Sequence, residues 1–398
     1  MKIIKMKDLN LSKKRVLIRS DLNVPMNPKG KITSDIRIRA ALPTIKIALE
    51  KKAKVLLLAH LGSPKEGKED KNYSLKPIVA WFKNNLPNIS IHLIKNYLNQ
   101  SIKLNEGELI ILENVRFNKG EKKNDDSLSK KYASLCDIFV MDAFGAAHRK
   151  HSSTYGIIKF APISCAGPLL CKELNYLKKA IYNPKKPIIA VVGGSKISTK
   201  LNLLHFLSKK VDKLIVGGGI ANTCIAAHGY NIGISIYEKN SIHDAKKLLK
   251  NNNIVIPMDV SVSKNKKEIT INKIQKSIHN IQNNEKILDI GNQSIIQLEN
   301  IIKNAKTIIW NGPIGLFEHI DYQKGTKKLC QAIANNKNAF SIAGGGDTLS
   351  AIEMFNITKN ISYMSTGGGA FLEFLTGNIL PTIHELSLKY KKLHKNDI

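Results

Sequence analysis

Two kinds of residue in this chain are placed to do chemistry on phosphate. The first is a set of glycine clusters, Gly193-Gly194-Ser195-Lys196, Gly217-Gly218-Gly219, Gly344-Gly345-Gly346-Asp347-Thr348 and Gly367-Gly368-Gly369. Glycine lets the backbone turn sharply and lets amide groups approach a phosphate, and a helix opening after the turn adds partial positive charge. Asp347 directly follows three glycines, where a carboxylate can hold a nucleotide-bound magnesium ion or cap the next helix. The second set is polar and cationic: Asp21, Asn23, Arg37, Arg39, His60, Arg116, His148, Arg149 and His151. Several guanidinium groups gathered at one edge suit a small, multiply anionic ligand, because each grips phosphate or carboxylate with two hydrogen bonds.

These residues need a scaffold that delivers them to common edges. Short runs rich in Val, Ile and Leu recur at 15–20, 54–60, 108–117, 137–144, 187–194, 213–219, 253–260, 307–313, 340–346 and 362–367, each followed by a turn and a segment with helical spacing. Strands apolar on both faces and separated by helices predict an α/β fold with parallel sheets covered on each side. The glycine clusters, with Asp21, Asn23, His60 and Arg116, fall at the ends of such runs, and open parallel sheets bind ligands at the carboxyl ends of their strands. The arginines fall in the first half and the glycine clusters in the second. The 398-residue length also favours two cores over one. The expected architecture is two doubly wound, Rossmann-like parallel-sheet domains joined by a helix and hinge. The proline-rich stretch 161–168, a helical segment 169–182 and Pro184 to Pro187 supply the connector.

Composition narrows the function further. There is no G-x-x-x-x-G-K-[ST] and no G-x-G-x-x-G in the first βα unit, so P-loop and simple dinucleotide-binding readings lose their main support. The net charge of +31 raises the possibility of a nucleic-acid binder. The lysines, however, are spread from Lys2 to Lys395 instead of forming a tail or stripe, and the abundance of Lys, Ile and Asn fits A/T-rich codons. A positive field still draws anionic substrates. The five cysteines form no C-x-x-C pair and are read as reduced thiols. The first residues lack the apolar stretch of a signal peptide, and no window approaches the ~20 apolar residues of a membrane span. A cytoplasmic enzyme without membrane or nucleic-acid partners is therefore expected.

The ordered motifs resemble those of the phosphoglycerate kinase family along essentially the whole chain. They are Arg19-Ser20-Asp21-Leu22-Asn23-Val24-Pro25, Arg37-Ile38-Arg39-Ala40-Ala41-Leu42-Pro43-Thr44, Leu112-Glu113-Asn114-Val115-Arg116-Phe117 and Asp142-Ala143-Phe144-Gly145-Ala146-Ala147-His148-Arg149. In the second half they are Gly193-Gly194-Ser195-Lys196-Ile197-Ser198-Thr199-Lys200, Trp310-Asn311-Gly312-Pro313-Ile314-Gly315-Leu316-Phe317-Glu318, the Gly344 to Thr348 run and Ser365-Thr366-Gly367-Gly368-Gly369-Ala370.

The resemblance implies reversible phosphoryl transfer between 1,3-bisphosphoglycerate and ADP, giving 3-phosphoglycerate and Mg-ATP, by a monomer. It implies a phosphoglycerate-binding domain at 1–165, a connector at 166–187, a nucleotide-binding domain at 188–375 and a segment 376–398 returning to the first domain. Carried over by motif, the phosphoglycerate set is Asp21, Leu22, Asn23, Arg37, His60, Leu61, Gly62, Ser63, Arg116 and Arg149. The nucleotide set is Lys200, Gly217, Asn311, Pro313, Glu318, Gly345, Gly346, Asp347 and Thr348, with Asp347 toward magnesium. Arg37, Lys196, Lys200, Gly345 and Gly346 are the catalytic candidates. Two departures stand out. Ser63 follows His60-Leu61-Gly62 where the family usually has arginine, which predicts a weaker phosphate contact with Lys65 as the candidate to compensate; Ala146 replaces a common threonine. The rival readings are a basic nucleic-acid-binding protein, which leaves the strand-end motifs unexplained, and a non-catalytic nucleotide-binding scaffold, which gives no reason to keep Lys200 and Asp347.

Overall fold

The computed structural model describes residues 2–264 and 273–394. The chain divides into two compact units, Met1–Asn175 with Ile379–Ile398, and Tyr176–Asn378. Each is built on a six-stranded parallel sheet.

In the first unit the strands are β1 (Arg15–Arg19), β2 (Lys54–Leu58), β3 (Ile91–Ile94), β4 (Leu109–Leu112), β5 (Ile138–Met141) and β6 (Ile163–Ala166), in the order β3-β4-β2-β1-β5-β6. Strands β4 and β5 are buried at every position, and β1 and β2 at every position but the first. Their runs of Val, Ile, Leu and Phe do not alternate because helices cover both faces. Val16 lies opposite Val55 on one side and Ile138 on the other, so strand order reverses about β1. Ligands bind at such a reversal, beyond the carboxyl ends of the strands.

In the second unit the parallel strands are β7 (Ile188–Val192), β8 (Lys213–Val216), β9 (Ile254–Val255), β13 (Thr307–Asn311), β14 (Phe340–Gly344) and β15 (Tyr363–Ser365), in the order β15-β14-β13-β7-β8-β9. The reversal here lies between β7 and β13, whose ends carry Gly193 and Gly312. A Cβ on Gly193 would sit 1.7 Å from the Pro313 carbonyl oxygen, and one on Gly312 would sit 2.4 Å from that of Gly193. Only glycine permits this approach. Three further strands, β10 (Asp259–Ser263), β11 (Ile274–Ser277) and β12 (Lys286–Ile290), form an antiparallel sheet over a small core that includes Ile225, Ile232, Val260 and Val262.

Three features escaped the sequence reading. Residues 161–168 read as connector, yet Ile163–Ala166 is the edge strand β6, with Cys165 opposite Val140; four residues between Pro162 and Pro168, one of them serine, give little strand signal. The run 253–260 is not one strand: Pro257 separates β9 in the parallel sheet from β10 in the antiparallel one. Strand β3 was unmarked because only Ile91 of its four residues is buried.

The helix Pro168–Ile181 spans the division between the units. At its start, Asp142 at the end of β5 accepts the Leu170 amide at 3.1 Å. Toward its other end, Tyr176 stacks on Tyr363 and Phe340 with ring centroids 4.3 and 5.9 Å apart. The helix Pro381–Leu393 belongs to the first unit, where Thr382 donates to the Ala147 carbonyl at 3.0 Å and Lys389 to that of Ala161 at 2.6 Å. No helix among the described residues is long and apolar enough to cross a membrane.

Candidate active site

In the first unit the loops after β1, β2, β4 and β5 bring a guanidinium cluster around one histidine. His60 is almost fully buried, and the desolvation of its imidazolium, followed by the fields of Arg19, Arg116, Arg149 and Arg37, holds its pKa well below the usual histidine range. It is neutral at pH 7. Its Nδ1 lies 3.2 Å from Nη2 of Arg19, which can only donate, so Nδ1 accepts and the proton sits on Nε2. The neutral ring therefore offers an N–H outward without adding charge.

Arg19, which the motifs did not single out as a site residue, anchors the cluster from below. It is fully buried, donates to Ser153 Oγ at 3.0 Å, and Ser153 in turn donates to Glu121 at 2.6 Å. Burial raises the Glu121 pKa while the Ser153 hydroxyl and Arg19 oppose that rise. This network joins residues more than 100 positions apart, so no local sequence pattern reports it. His151 lies 4.0 Å from Glu121; burial, then Arg19 and Arg116, brings its pKa to about 4. His148 is likewise lowered, by burial and then by Arg149, and its Nε2 accepts from Arg149 Nε at 3.2 Å.

Asp21, Asn23, Arg37, Gly62, Ser63 and Arg116 are tied into one lattice. Arg37, in the first turn of the helix Ile36–Glu50, donates to Asp21 at 3.2 Å and to the Asn23 carbonyl at 3.0 Å. Asn23 Oδ1 accepts the Gly62 amide at 2.7 Å, and the Gly62 carbonyl accepts Arg116 Nη1 at 2.9 Å. Gly62 has φ +60° and lies against the Tyr73 ring, so no other residue fits. The Ser63 hydroxyl also accepts from Arg116 Nη1, at 2.9 Å, so it holds that arginine in place. Lys65 is exposed. Leu22 and Leu61 point into the core and can offer a ligand only backbone. Arg39 pairs with Asp35 at 2.9 Å and lies over Trp81, outside the lattice.

In the second unit the backbone does the shaping. Gly345 takes φ +104° as the N-cap of the helix Gly346–Met354. The first amides of this helix have no carbonyl of the preceding turn to receive them and are available to an anion. A Cβ on Gly346 would meet nothing within 4 Å, so the approach is open. Asp347 is exposed and makes no capping bond, which leaves its carboxylate available. The cradle is braced from within: Asn311 Nδ2 donates to the Gly344 carbonyl at 2.6 Å, and the Thr348 hydroxyl accepts the Gly312 amide at 2.7 Å and donates to the Gly344 carbonyl at 2.9 Å. Thr348 can therefore offer an anion its amide and not its hydroxyl.

Lys200 reaches this cradle from the turn Ser198–Lys200, donating to the Gly193 carbonyl at 2.6 Å. Burial, opposed by the charge of Asp347, lowers its pKa to about 8. Lys196 stays exposed. Beside the cradle a cavity of about 340 Å³ is lined by Gly218, Gly219, Ile236, Pro313, Glu318 and Asp347, among others. Gly217 is buried beneath it, with Ile314 so close that a Cβ would lie 2.5 Å from its Cα, and Gly218 and Gly219 form the wall instead. Among the described residues no three His, Cys, Asp or Glu side chains gather to hold a metal. A lone carboxylate beside a phosphate cradle fits magnesium that arrives already bound to nucleotide phosphates.

A doubly wound sheet with buried arginines at its ligand edge, and a second with a glycine-built anion cradle, a lysine and a nucleotide-sized cavity, define a phosphotransferase. Residues 6–378 match the family model described as phosphoglycerate kinase. The chain is similar in structure to phosphoglycerate kinase from Coxiella burnetii, with 48% identity, a TM-score of 0.91, and coverage of 98% of this chain and 100% of that one. It is also similar to the phosphoglycerate kinase of Pyrococcus horikoshii OT3, with 30% identity, a TM-score of 0.84, and 98% and 100% coverage. The chain belongs to the phosphoglycerate kinase family. Its reaction is the reversible glycolytic transfer of a phosphoryl group between 1,3-bisphosphoglycerate and ADP.

Proposed function

We propose that the two units divide the substrates: the arginine lattice of the first receives 3-phosphoglycerate or 1,3-bisphosphoglycerate, and the glycine cradle of the second receives ADP or ATP with its magnesium. The observation that carries this division is the contrast in donors. Arg37, Arg116 and Arg149, with the His60 Nε2 proton, suit a small anion with phosphate and carboxylate ends. The cavity beside Gly218 and Gly219, bounded by Glu318 and reaching Asp347 in the first turn of the helix Gly346–Met354, suits a base, a ribose and a phosphate chain in that order. Asn311 at the end of β13 and Pro313 just beyond it shape that site, and Gly217 supports its floor.

Transfer in this arrangement needs no general base, since the attacking phosphate oxygen of ADP is already ionised at neutral pH. The work left to the protein is to hold both ends in line and to neutralise charge on the moving group. Arg37, held by Asp21 and the Asn23 carbonyl, presents its guanidinium from the first unit. Within the second unit, Lys200 and the amides of Gly345 and Gly346 supply positive charge to the nucleotide phosphates, with exposed Lys196 as a further cation of that unit. Asp347 would hold the magnesium ion that accompanies the nucleotide, and the ion would supply charge neutralisation to its phosphates. A monomeric, cytoplasmic enzyme acting on these small molecules alone completes the reading. The test is a coupled assay with 3-phosphoglycerate and Mg-ATP, following acyl phosphate formation, beside calorimetric titrations of each substrate into R116A and D347A. R116A should lose 3-phosphoglycerate binding and retain nucleotide, and D347A the reverse. Loss of both ligands in both variants would defeat the division.

A further inference from the structure

Glu238 lies 40 residues beyond Ser198 in sequence, in the second unit, and belongs to none of the motifs that identify the site. Its carboxylate receives the Ser198 amide at 2.7 Å on one oxygen and the Ser198 hydroxyl at 2.7 Å on the other. Ser198 opens the short turn whose last residue is Lys200. The Glu238 backbone is fixed in its own right, its amide donating to Thr223 Oγ1 at 3.2 Å, while that hydroxyl donates to the Gly219 carbonyl at 2.8 Å. Two residues earlier the Ile236 carbonyl accepts Asn222 Nδ2 at 3.0 Å, and Ile236 lines the nucleotide-sized cavity. Residues 236–238 thus form a strap tied to the helix Gly218–Ala227. One end walls the cavity and the other holds the lysine turn.

We propose that Glu238 is a positioning residue for phosphoryl transfer: by receiving both donors of Ser198 it fixes the turn Ser198–Lys200 and aims the Lys200 ammonium at the glycine cradle. The inference rests on the assignment of Lys200 to the transferring group. Three features make it more than a surface contact. The two bonds arrive at one residue in a fork, so they set orientation as well as distance. Within the turn the Lys200 amide donates to the Ile197 carbonyl at 3.0 Å and the Thr199 hydroxyl to the Lys196 carbonyl at 2.9 Å, whereas the Glu238 fork ties the turn to a segment 40 residues away. The Ser198 amide, then its hydroxyl and the charge of Lys196, hold the Glu238 carboxyl below the usual carboxylate range, so the clamp stays charged through neutral pH.

The test compares E238A, E238Q, S198A and K200A in steady-state assays with thermal melts. A misaimed charged group at a reacting centre costs about ten- to a hundredfold in kcat, and that loss is expected for E238A with nucleotide KM changed by no more than about twofold. E238Q should recover most of it, because its carboxamide oxygen accepts the Ser198 amide and its N–H meets a hydroxyl able to accept. S198A should fall between, and S198A/E238A should be no worse than E238A alone, as for two parts of one contact. In E238A the freed lysine becomes better hydrated, so the alkaline limb of kcat/KM should move to higher pH. Parental kcat in E238A overturns the proposal. So does a loss that E238Q does not repair, or one that tracks the melting temperature across all variants. Near-parental turnover in K200A sinks the underlying assignment together with this inference, whereas a disabled K200A beside a normal E238A sinks this inference alone.

Discussion

The two candidate ligand edges present donors for anionic oxygen by opposite means. The first unit uses side chains, with buried and half-buried guanidinium groups held by Asp21, Ser153 and backbone carbonyls. The second uses main chain, with amides at a helix start, glycines that let strands approach, and one lysine. The contrast teaches where each edge is fragile. In the arginine edge a side chain can be removed and leave the sheet standing, so function fails before the fold. In the glycine edge some positions are tolerant and others have no room for a single carbon, so fold and function fail together or apart depending on which glycine is changed.

The strongest challenge to this view comes from removing the central cation of each edge. R37A and K200A should each lower turnover by about 10²- to 10³-fold, the scale seen when one preorganised donor to a developing charge is lost, with melting temperatures near the parent. A large drop in melting temperature for R37A would contradict the separation of function from fold on the arginine side. Next in size are two glycines that differ only in surroundings. G193A places a methyl against the Pro313 carbonyl, an overpacking expected to cost about 1–3 kcal/mol or more, read by chemical denaturation. G346A meets nothing and should keep its stability while weakening nucleotide binding in a titration.

A smaller effect concerns pH. Lys200 titrates near 8 in the fold against 10.5 when exposed, so it loses its proton first in the native state. Between those values the unfolded chain holds more protons, and stability gains from Lys200 as pH rises. Turnover moves the other way, because the deprotonated amine no longer neutralises phosphate, and kcat/KM should decline above about pH 8. A flat profile to pH 9.5 would remove Lys200 from the transfer step. The smallest expected change is S63A. It takes one neutral partner from Arg116, whose Gly62 carbonyl remains, so 3-phosphoglycerate KM should rise by only about two- to threefold.

Much of this was legible in the sequence because the informative residues are local. An apolar run that ends in glycine or a polar cluster announces both a parallel strand and its ligand end, and ten such runs outlined both sheets. What stayed hidden was non-local or quiet. The Arg19, Ser153 and Glu121 chain closes over more than 100 positions, and Glu238 meets Ser198 from 40 away. Strand β6 carries a single branched apolar residue, Ile163, between two prolines, and β10 to β12 lie behind Pro257. The sequence also cannot say which atom of Thr348 faces outward; only the hydrogen bonds to Gly312 and Gly344 turn its hydroxyl inward.

The neutral histidines among the arginines carry a thermodynamic consequence. His60, His148 and His151 are kept unprotonated by burial and by the positive field around them. A bound phosphate cancels much of that field, and each imidazole then becomes a better base. Ligand capture at mildly acidic pH should therefore draw protons from solution, and the heat of 3-phosphoglycerate binding should vary with the ionisation enthalpy of the buffer. The arginine edge would then act as a counter of protons as well as a grip on phosphate.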